Sequence, residues 1–495
     1  MVIIVHHYYN FKMKTIKKPS LTQSLIPVLV LIGILSINVL VVFGDNALSG
    51  ANQMALLIST AVAAVIAYIN GWNWKDILRG LTSSINVALP AIIILLLIGA
   101  LAGTWMLSGI VPAMIYYGLN VLNPTIFLFA TCLICAIVSV ATGSSWTTVA
   151  TVGIALIGIG GVLGFGKGII AGAIISGAYF GDKMSPLSDT TNLAPAMAGT
   201  DLITHIKYMT LTTVPTIIIT LIIFAVIGLF NGSESEIKEV SILQNAISSK
   251  FVITPWLFIA PVVVIGLIIK KVPAIPALFA GSILGGLFAV LFQPDLIQEL
   301  TTQTNFIAAC YEVVVNAMTT DVTVITENEL INELLTSSGM AGMLNTIWLI
   351  ICAMMFGGVM EKSGMLKRIT QSIIGLAKSD GSLIATTASS CIVFNLTASD
   401  QYLAIVVPGK MFAEEYQERG LHPKVLSRTL EDSGTVTSAL IPWNTCGAYH
   451  SGVLGVATGE YFFYCFFNII SPFMTVLFGF LGIKIAKVIR NKTSD

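Results

Sequence analysis

Long apolar runs, separated by short polar segments, are the dominant feature of the hydropathy pattern. A helix needs about 20 mostly apolar residues to cross the roughly 30 Å hydrocarbon core of a bilayer. The runs near this length are 23–43, 53–70, 86–107, 167–199, 208–230, 252–269, 274–292, 345–361, 429–457 and 461–483. The pattern therefore predicts ten transmembrane helices.

Two further apolar stretches, 124–163 and 383–413, are each interrupted near the middle by a cluster of polar residues. Irregular backbone at bilayer depth is tolerated only where it is buried in protein or lines a cavity. We therefore predict that each stretch is a re-entrant hairpin, whose two arms enter and leave on the same side. The expected fold class is an all-α polytopic membrane protein, with about ten transmembrane helices, two re-entrant hairpins and two interrupted helices.

Polar landmarks recur in the two halves of the chain at a nearly constant separation. Residues 142–145 correspond to 397–400 at 255 positions, and 181–185 correspond to 434–438 at 253. Each half has five predicted crossings, and because five is odd the second half enters the membrane from the opposite side. This arrangement is an inverted-topology repeat, which is typical of secondary transporters.

The repeat also predicts how the chain is divided. The parts are a cytoplasmic N-terminal extension (1–22), a first repeat (23–230), an external linker (231–251), a second repeat (252–490) with an external loop (293–344), and a cytoplasmic tail (491–495).

Composition and charge agree with a membrane protein. Of the 495 residues, 55% are hydrophobic and 10% are charged, whereas a typical soluble protein carries about 25% charged residues. The 25 basic and 25 acidic residues balance, which gives no indication of nucleic-acid binding. With the N-terminus in the cytoplasm, 21 of the 25 basic residues fall on the cytoplasmic side. The positive-inside rule therefore predicts that both termini are cytoplasmic.

Charged residues interrupt the predicted helix 167–199 within the membrane. Residues 181–195 contain Asp182, Lys183 and Asp189 together with Pro186 and Pro195. A charged side chain at bilayer depth costs about 2.5–3.5 kcal/mol on insertion scales, so this segment is a candidate functional site. One alternative is a buried ion pair that fixes helix packing, with Lys183 as a counter-ion.

The second half carries polar residues at similar places but of different kinds. Glu431 and Asp432 open the helix 429–457, and Asn444 and Thr445 lie where glycine and proline interrupt it. Asp400 lies at the tip of the second hairpin with Thr397 and Ser399, whereas the first tip offers hydroxyl groups only. Carboxylate, hydroxyl and carbonyl oxygens are hard donors, which suit Na⁺ and H⁺.

These observations define a candidate cation- and proton-binding set. Its members are Ser144, Ser145, Asp182, Asp189, Thr190, Asn192, Thr397, Ser399, Asp400, Asp432, Asn444 and Thr445. Burial favours the protonated form of a carboxyl group, whereas Na⁺ binding requires the ionised form, so one site accepts either cation in turn. We expect no cofactor and no metal ion other than transported Na⁺.

Two long segments, 181–209 and 431–448, resemble the characteristic stretches of the NhaC family of sodium–proton antiporters. The resemblance extends over about 20–490. It implies an antiporter of the bacterial cytoplasmic membrane that transports Na⁺ and H⁺. We expect the lipid bilayer as its surroundings and a homodimer as a possible assembly. By similarity to that family's superfamily, the cation sites are expected where each hairpin tip meets the break in its partner helix, at 142–148 with 182–192 and at 397–400 with 432–445.

Two other classes of transport protein stay open at this point. One branch of the family exchanges malate for sodium and lactate, so a sodium-coupled organic-anion exchanger is the main alternative. Such a carrier is expected to present a cationic group to its substrate, and Lys183 is the only mid-membrane cation in the predicted topology. An ion channel is a remote alternative. An enzyme is not expected, because no nucleophile–base pair or metal-ligand cluster stands out in the sequence.

Overall fold

The computed structural model describes residues 16–43, 50–121, 123–231, 237–325, 332, 335–375 and 377–488. Most of the predicted N-terminal extension, part of the linker 231–251, part of the loop 293–344 and the tail 491–495 lie outside these ranges. Within them, the regular structure is helical except for one antiparallel pair of two-residue strands, Val322–Thr323 and Thr336–Ser337.

The first half is a series of helices in the predicted order. They are Leu21–Ile37, Ala51–Ile69, Trp74–Leu107, Ile110–Val121, Pro124–Thr142, Ser145–Thr148, Ile154–Val162, Lys167–Met184, Asp189–Ala198 and Leu202–Asn231, with π-helical turns at Asn38–Val42 and Val149–Gly153.

The second half follows the helix Ile237–Lys250. Its α-helices are Ile259–Ile269, Ala274–Phe292, Pro294–Glu299, Phe306–Thr319, Leu344–Lys362, Met365–Ile374, Asp380–Thr397, Gln401–Glu418, Pro423–Leu430, Thr445–Leu454, Thr458–Tyr461 and Phe466–Phe480. Shorter turns are the π-helical Glu431–Thr435 and the 3₁₀-helical Pro255–Phe258, Ala341–Met343, Ser438–Leu440 and Phe462–Tyr464.

Seven helices within the described residues are long and apolar enough to cross a membrane, and two bent helix pairs raise this number to nine. The bent pairs are Gln244–Lys250 with Pro255–Ile269, and Thr458–Tyr464 with Phe466–Phe480, which bend by 88° and 54°. The predicted runs 167–199 and 429–457 do not appear as single spans, because each is divided by a break between two helices. The prediction of an all-α polytopic membrane protein is therefore confirmed.

Two hairpins and two broken helices position the candidate residues. The first hairpin is Pro124–Thr142 with Ser145–Val162, and the first broken helix is Lys167–Met184 with Asp189–Ala198. In the second half, the hairpin is Asp380–Thr397 with Gln401–Glu418, and the broken helix runs from Pro423–Leu430 through the π-helical turn to Thr445–Leu454. We call residues 143–144 and 398–400 the tips, and residues 185–188 and 441–444 the breaks.

Both tips turn through a left-handed backbone conformation. Gly143 has φ +72°, and Ser399 has φ +59° at the matching place of the second hairpin. Glycine adopts this conformation without strain, whereas a serine held in it is sterically disfavoured. The last residue of each tip caps the helix that follows. The side chain of Ser144 accepts a hydrogen bond from the backbone N of Thr147, and the side chain of Asp400 accepts one from the backbone N of Leu403.

The hairpins pack closely on the broken helices because glycine removes side chains from the contact. A Cβ atom on Gly177 would lie 2.1 Å from the carbonyl O of Cys132, and one on Gly181 would lie 2.4 Å from the carbonyl O of Ala136. Beside this unit, the helix Trp74–Leu107 packs against the helices Ala274–Phe292 and Leu344–Lys362. The site lies where these two groups of helices meet.

Candidate cation-binding site

The first tip is joined to the first broken helix by one carboxylate. The Oδ2 of Asp182 accepts hydrogen bonds from the backbone N (3.0 Å) and the Oγ (2.6 Å) of Ser145. Asp182 lies two residues before the C-terminal end of the helix Lys167–Met184 and is 8% exposed. These hydrogen bonds stabilise the ionised carboxylate, which is the form that binds a cation.

Side chains from the following helix hold the first break together. The Oγ1 of Thr191 donates to the carbonyl oxygens of Asp182 (3.2 Å) and Lys183 (3.0 Å), in the last turn of the helix before the break. The Nδ2 of Asn192 donates to the carbonyl oxygens of Pro186 (3.0 Å) and Ser188 (2.7 Å). These backbone groups at the break are therefore satisfied within the protein, which is the condition for irregular backbone inside a membrane.

Asn395 and Asn444 connect the second hairpin to the second break. The Nδ2 of Asn444 donates to the Oδ1 of Asn395 at 3.1 Å, and the Nδ2 of Asn395 donates to the carbonyl O of Gly434 at 2.6 Å. The backbone N of Thr445 donates to the carbonyl O of Ser399 at 2.9 Å. Asn444 and Ser399 thus hold the tip and the break in contact.

One cavity of about 840 Å³ is lined by both tips, by the first break and by the helix Thr445–Leu454, which follows the second break. Its wall also includes parts of the helix Trp74–Leu107 and the loop 270–273. The candidate residues that line it are Ser144, Asp182, Asp189, Thr190, Asn192, Asp400 and Thr445. Residues from both predicted sites therefore face the same space.

The cavity carries more negative than positive charge. Its charged lining residues are Asp182, Asp189, Asp400 and Lys271. Asp400 is 4% exposed, whereas Asp189 and Lys271 are exposed. No group of three or more His, Cys, Asp or Glu side chains within the described ranges is close enough to hold one metal ion. A cation in this cavity would therefore combine carboxylate ligands with neutral oxygens.

The remaining candidates lie outside the lining of the cavity. Ser145 lies behind the cavity wall, where it donates to Asp182. The hydroxyl group of Thr397 donates to the carbonyl O of Val393 at 2.6 Å. Asp432 is fully buried, accepts from the Nζ of Lys183, and also accepts from the Oγ1 of Thr212 at 2.8 Å.

Lys183 therefore neutralises a carboxylate of the other half and does not line the cavity. Arg428, whose sequence position predicts a cytoplasmic side chain, is instead 0% exposed. Its Nε lies 4.0 Å from the Oδ2 of Asp432, and its guanidinium group lies over the ring of Tyr208 at 4.7 Å. Arg428 and Asp432 are four residues apart, and side chains at this spacing lie on the same face of a helix.

Three aromatic residues of the cavity wall were missed by the sequence analysis: Trp146, Tyr402 and Tyr449. The rings of Trp146 and Tyr449 stack with centroids 3.9 Å apart, and the Tyr449 hydroxyl donates to the Trp146 carbonyl O at 2.9 Å. The sequence around an aromatic residue in an apolar helix does not show whether its ring lines a cavity, faces lipid or packs in the protein core. The position of Trp146 directly after Ser145 was the available indication.

A sequence model of the Na⁺/H⁺ antiporter family matches residues 177–483. The chain is 38% identical to the Na⁺/H⁺ antiporter NhaC of Alkalihalophilus pseudofirmus, over 88% of this chain and 91% of that protein. It is 37% identical to the malate-2H⁺/Na⁺-lactate antiporter of Bacillus subtilis, over 87% and 89%. It is 35% identical to the arginine/ornithine antiporter ArcD of Halobacterium salinarum, over 94% and 93%. All three relatives are antiporters, and their names give different transported solutes.

Proposed function

Because the chain belongs to the Na⁺/H⁺ antiporter family, we propose that it is a secondary transporter that exchanges Na⁺ for H⁺. The observation that carries this proposal is the cavity with Asp182, Asp189 and Asp400 in its wall and Lys271 as the only cation among the described residues that line it. Carboxylates at bilayer depth are costly to retain unless they bind a cation, a proton or a counter-ion.

The carboxylates of the cavity bind Na⁺ and H⁺ in turn. Na⁺ is coordinated by an ionised carboxylate with neutral oxygens from Ser144 and Thr445, which line the same wall. Protonation removes the charge that attracts Na⁺, so the two cations compete. When the site faces the two sides of the membrane alternately, this competition couples their movement in opposite directions.

The distribution of basic residues supports a cytoplasmic location of both termini, in the cytoplasmic membrane of a bacterium. Lys271 belongs to the loop 270–273, for which the positive-inside rule favours the cytoplasm. Because Lys271 is exposed and lines the cavity, this conformation presents the cavity to the cytoplasmic side. The inverted relation of the two halves then provides the opposite, outward-facing arrangement.

Exchange of an organic anion is a second candidate function. A cavity of about 840 Å³ is much larger than a sodium ion, and the malate-2H⁺/Na⁺-lactate antiporter is 37% identical to this chain. The three carboxylates of the wall repel an anion, however, unless Na⁺ or H⁺ neutralises them first. We therefore favour the cation exchanger.

Flux measurements in proteoliposomes separate the two functions. We expect an imposed Na⁺ gradient to drive opposite proton movement, reported by a pH-sensitive dye inside the vesicles, without any organic solute. Li⁺, K⁺, malate, lactate and arginine are then tested one at a time. Proton movement that requires malate or lactate would contradict the pure cation exchanger, and absence of any Na⁺-dependent proton movement would refute the proposed function.

A further inference from the structure

Two aromatic side chains of the cavity wall join the two halves of the chain. Trp146 lies two residues after the cap of the first hairpin's second arm, and Tyr449 lies in the helix that follows the second break. Their rings stack with centroids 3.9 Å apart, and the Tyr449 hydroxyl group donates to the Trp146 carbonyl O at 2.9 Å. Both residues line the cavity, and Tyr449 is fully buried. The wall is therefore closed at this place by a contact between the halves.

A second contact between the halves lies next to this stack. The Nε2 of His450 and the hydroxyl oxygen of Tyr179 are 3.1 Å apart, and both residues are 0% exposed. The Tyr179 hydroxyl oxygen also lies 3.4 Å from the Oγ of Ser438. The rings of Tyr449 and His450 meet edge to face, with centroids 5.2 Å apart. The stacked pair is thus backed by a second layer of buried rings.

In the predicted topology, both layers lie on the external side of the tips and the breaks. The first hairpin enters from outside, so its second arm, which begins at Ser145, runs outward from the tip. The helix Thr445–Leu454 also runs outward, because the predicted crossing 429–457 begins in the cytoplasm. Lys271 lines the cavity from a loop predicted to be cytoplasmic. The cavity is therefore closed towards the outside and open towards the cytoplasm.

The helix caps relate the two halves residue by residue. Ser144 and Asp400 cap the second arms of the two hairpins, and Ser188 and Asn444 cap the helices that follow the two breaks. The members of each pair are 256 positions apart, from 144 to 400 and from 188 to 444. One offset therefore applies to the hairpins and to the broken helices alike.

This offset assigns a counterpart to each member of the stacked pair. Trp146 corresponds to Tyr402, and Tyr449 corresponds to Leu193. Tyr402 lines the cavity and is 38% exposed, whereas Leu193 is partly buried. Because the second hairpin is predicted to enter from the cytoplasm, Tyr402 and Leu193 lie on the cytoplasmic side of the tips. In an inverted repeat, the two halves exchange their arrangements when the access changes sides.

We propose that Trp146 with Tyr449 forms the external gate of the transporter, and that Tyr402 with Leu193 forms its cytoplasmic gate. The external gate is closed in this structure. The cytoplasmic gate closes when the ring of Tyr402 packs on Leu193 and separates the cavity from the loop 270–273. An apolar constriction excludes water and therefore stops a hydrated ion. This inference rests on the alternating access of the proposed function, since coupled exchange requires that the two gates are never open together.

The first test measures from which side the cavity is reached. Ala91 lines the cavity, and the variant Ala91→Cys is combined with Cys310→Ser, which removes the one native cysteine that is not buried. A membrane-impermeant thiol reagent is added to intact cells or to everted vesicles. Trp146→Ala weakens the state that is closed to the outside, so we expect labelling about threefold or more faster from outside and slower from the cytoplasm.

Tyr402→Ala weakens the opposite state, so we expect the reverse change: faster labelling of Ala91→Cys from the cytoplasm and slower labelling from outside. Tyr402→Phe keeps the ring and should label as the wild type does. Tyr464→Ala is the matched control, because Tyr464 is also 38% exposed but does not line the cavity. General damage to the fold does not move labelling in opposite directions on the two sides.

The second test asks whether Tyr402 and Leu193 act together. Leu193→Ala should reproduce the labelling change of Tyr402→Ala, and the double variant should show no further change, because either substitution alone removes the contact. If Trp146→Ala does not fold, Tyr449→Phe removes only the hydrogen bond to the Trp146 carbonyl O. It should shift labelling in the same direction by a smaller factor.

The outcomes separate the gates from the proposed function. Labelling that changes in the same direction in Trp146→Ala and Tyr402→Ala, or in neither, would overturn the two gates. Opposite changes on exchanged sides would overturn the assignment of external and cytoplasmic gate. Additive effects of Leu193→Ala and Tyr402→Ala would overturn their pairing. Absence of Na⁺-dependent proton movement in the wild type would instead refute the proposed function, and the labelling, which needs no transported ion, would still decide whether the gates exist.

Discussion

Lys183 of the first half donates a hydrogen bond to Asp432 of the second half, and both side chains are fully buried. The two residues belong to the two broken helices, which meet behind the cavity. Loss of Asp432 is strongly unfavourable, because it leaves Lys183 and Arg428 buried without their shared carboxylate. The relative placement of the two broken helices is therefore sensitive to substitution of this residue.

Substitution of Asp432 alone is expected to destabilise the protein more than substitution of Asp432 together with Lys183. Asp432→Asn leaves Lys183 and Arg428 buried without their shared carboxylate, and should cost about 3–5 kcal/mol of folding stability. Asp432→Asn combined with Lys183→Met removes one of these two unpaired charges and should recover part of this loss. Tm measurements on the purified single and double variants test the expectation. A double variant that is less stable than either single one would show that the pair does not act as a unit.

Asp189→Asn is expected to abolish Na⁺/H⁺ exchange without a loss of protein. Asp189 is exposed in the cavity, so its replacement should change stability by no more than about 0.5 kcal/mol. Asparagine keeps the size of the side chain but neither ionises for Na⁺ nor takes up a proton. Proton flux in everted vesicles is the measurement, with Asp201→Asn as a control on an exposed carboxylate outside the cavity. Wild-type flux in Asp189→Asn would exclude Asp189 as a carrier of the exchanged cations.

Asp400 combines a capping role with a place in the cavity wall, and two substitutions separate these roles. Asparagine and serine both cap helices well, so Asp400→Asn and Asp400→Ser should keep the helix Gln401–Glu418 intact. Both remove the negative charge, and we expect the apparent KM for Na⁺ to rise about tenfold, which corresponds to about 1.4 kcal/mol. Exchange rates over a range of Na⁺ concentrations and pH values provide the check. Unchanged Na⁺ and pH dependence in both variants would assign Asp400 to capping alone.

Gly143→Ala is expected to reduce exchange at least tenfold by separating the first tip from the first break. A Cβ atom at this position would lie 2.6 Å from the Cβ of Leu187 and 2.7 Å from its carbonyl carbon. Gly164→Ala is the matched control, because Gly164 has a similar φ of +82° but a Cβ atom there would meet no atom of the described residues within 4 Å. Both variants carry backbone strain of about 1–2 kcal/mol. Equal loss of exchange in the two variants would mean that strain, and not the tip contact, is responsible.

Cysteine labelling from outside intact cells tests the predicted sidedness. Ile307 is 80% exposed and lies in the predicted external loop, whereas Glu418 is exposed in a segment predicted to be cytoplasmic. The variants Ile307→Cys and Glu418→Cys are made together with Cys310→Ser, since the other six native cysteines are buried. A membrane-impermeant thiol reagent should modify the first variant and not the second. Modification of both from the same side would refute the N-in, C-in topology.

Much of the fold is determined by local sequence. Runs of apolar residues define the membrane helices, because a helix without polar side chains is stable only in an apolar environment. The breaks at 185–188 and 441–444 contain proline and polar residues, which end a helix locally. The match of residues 142–145 with 397–400 found both hairpin tips with an error of one residue, since Ser144 and Asp400 occupy equivalent capping positions whereas the match pairs Ser145 with Asp400. Each of these features depends on neighbours within a few residues.

Only the tertiary structure decided which charged residues meet. Lys183 and Asp432 are 249 positions apart in the sequence, and no local pattern distinguishes this pair from the alternative of Lys183 with Asp182. Glu431 and Asp432 are adjacent, yet they face different surroundings, because successive side chains on a helical turn point in different directions. The direction of each side chain depends on how the two broken helices are rotated and packed against each other. The sequence by itself therefore determined where carboxylates occur in the membrane, and packing determined which of them are paired, which line the cavity and which lack a partner among the described residues.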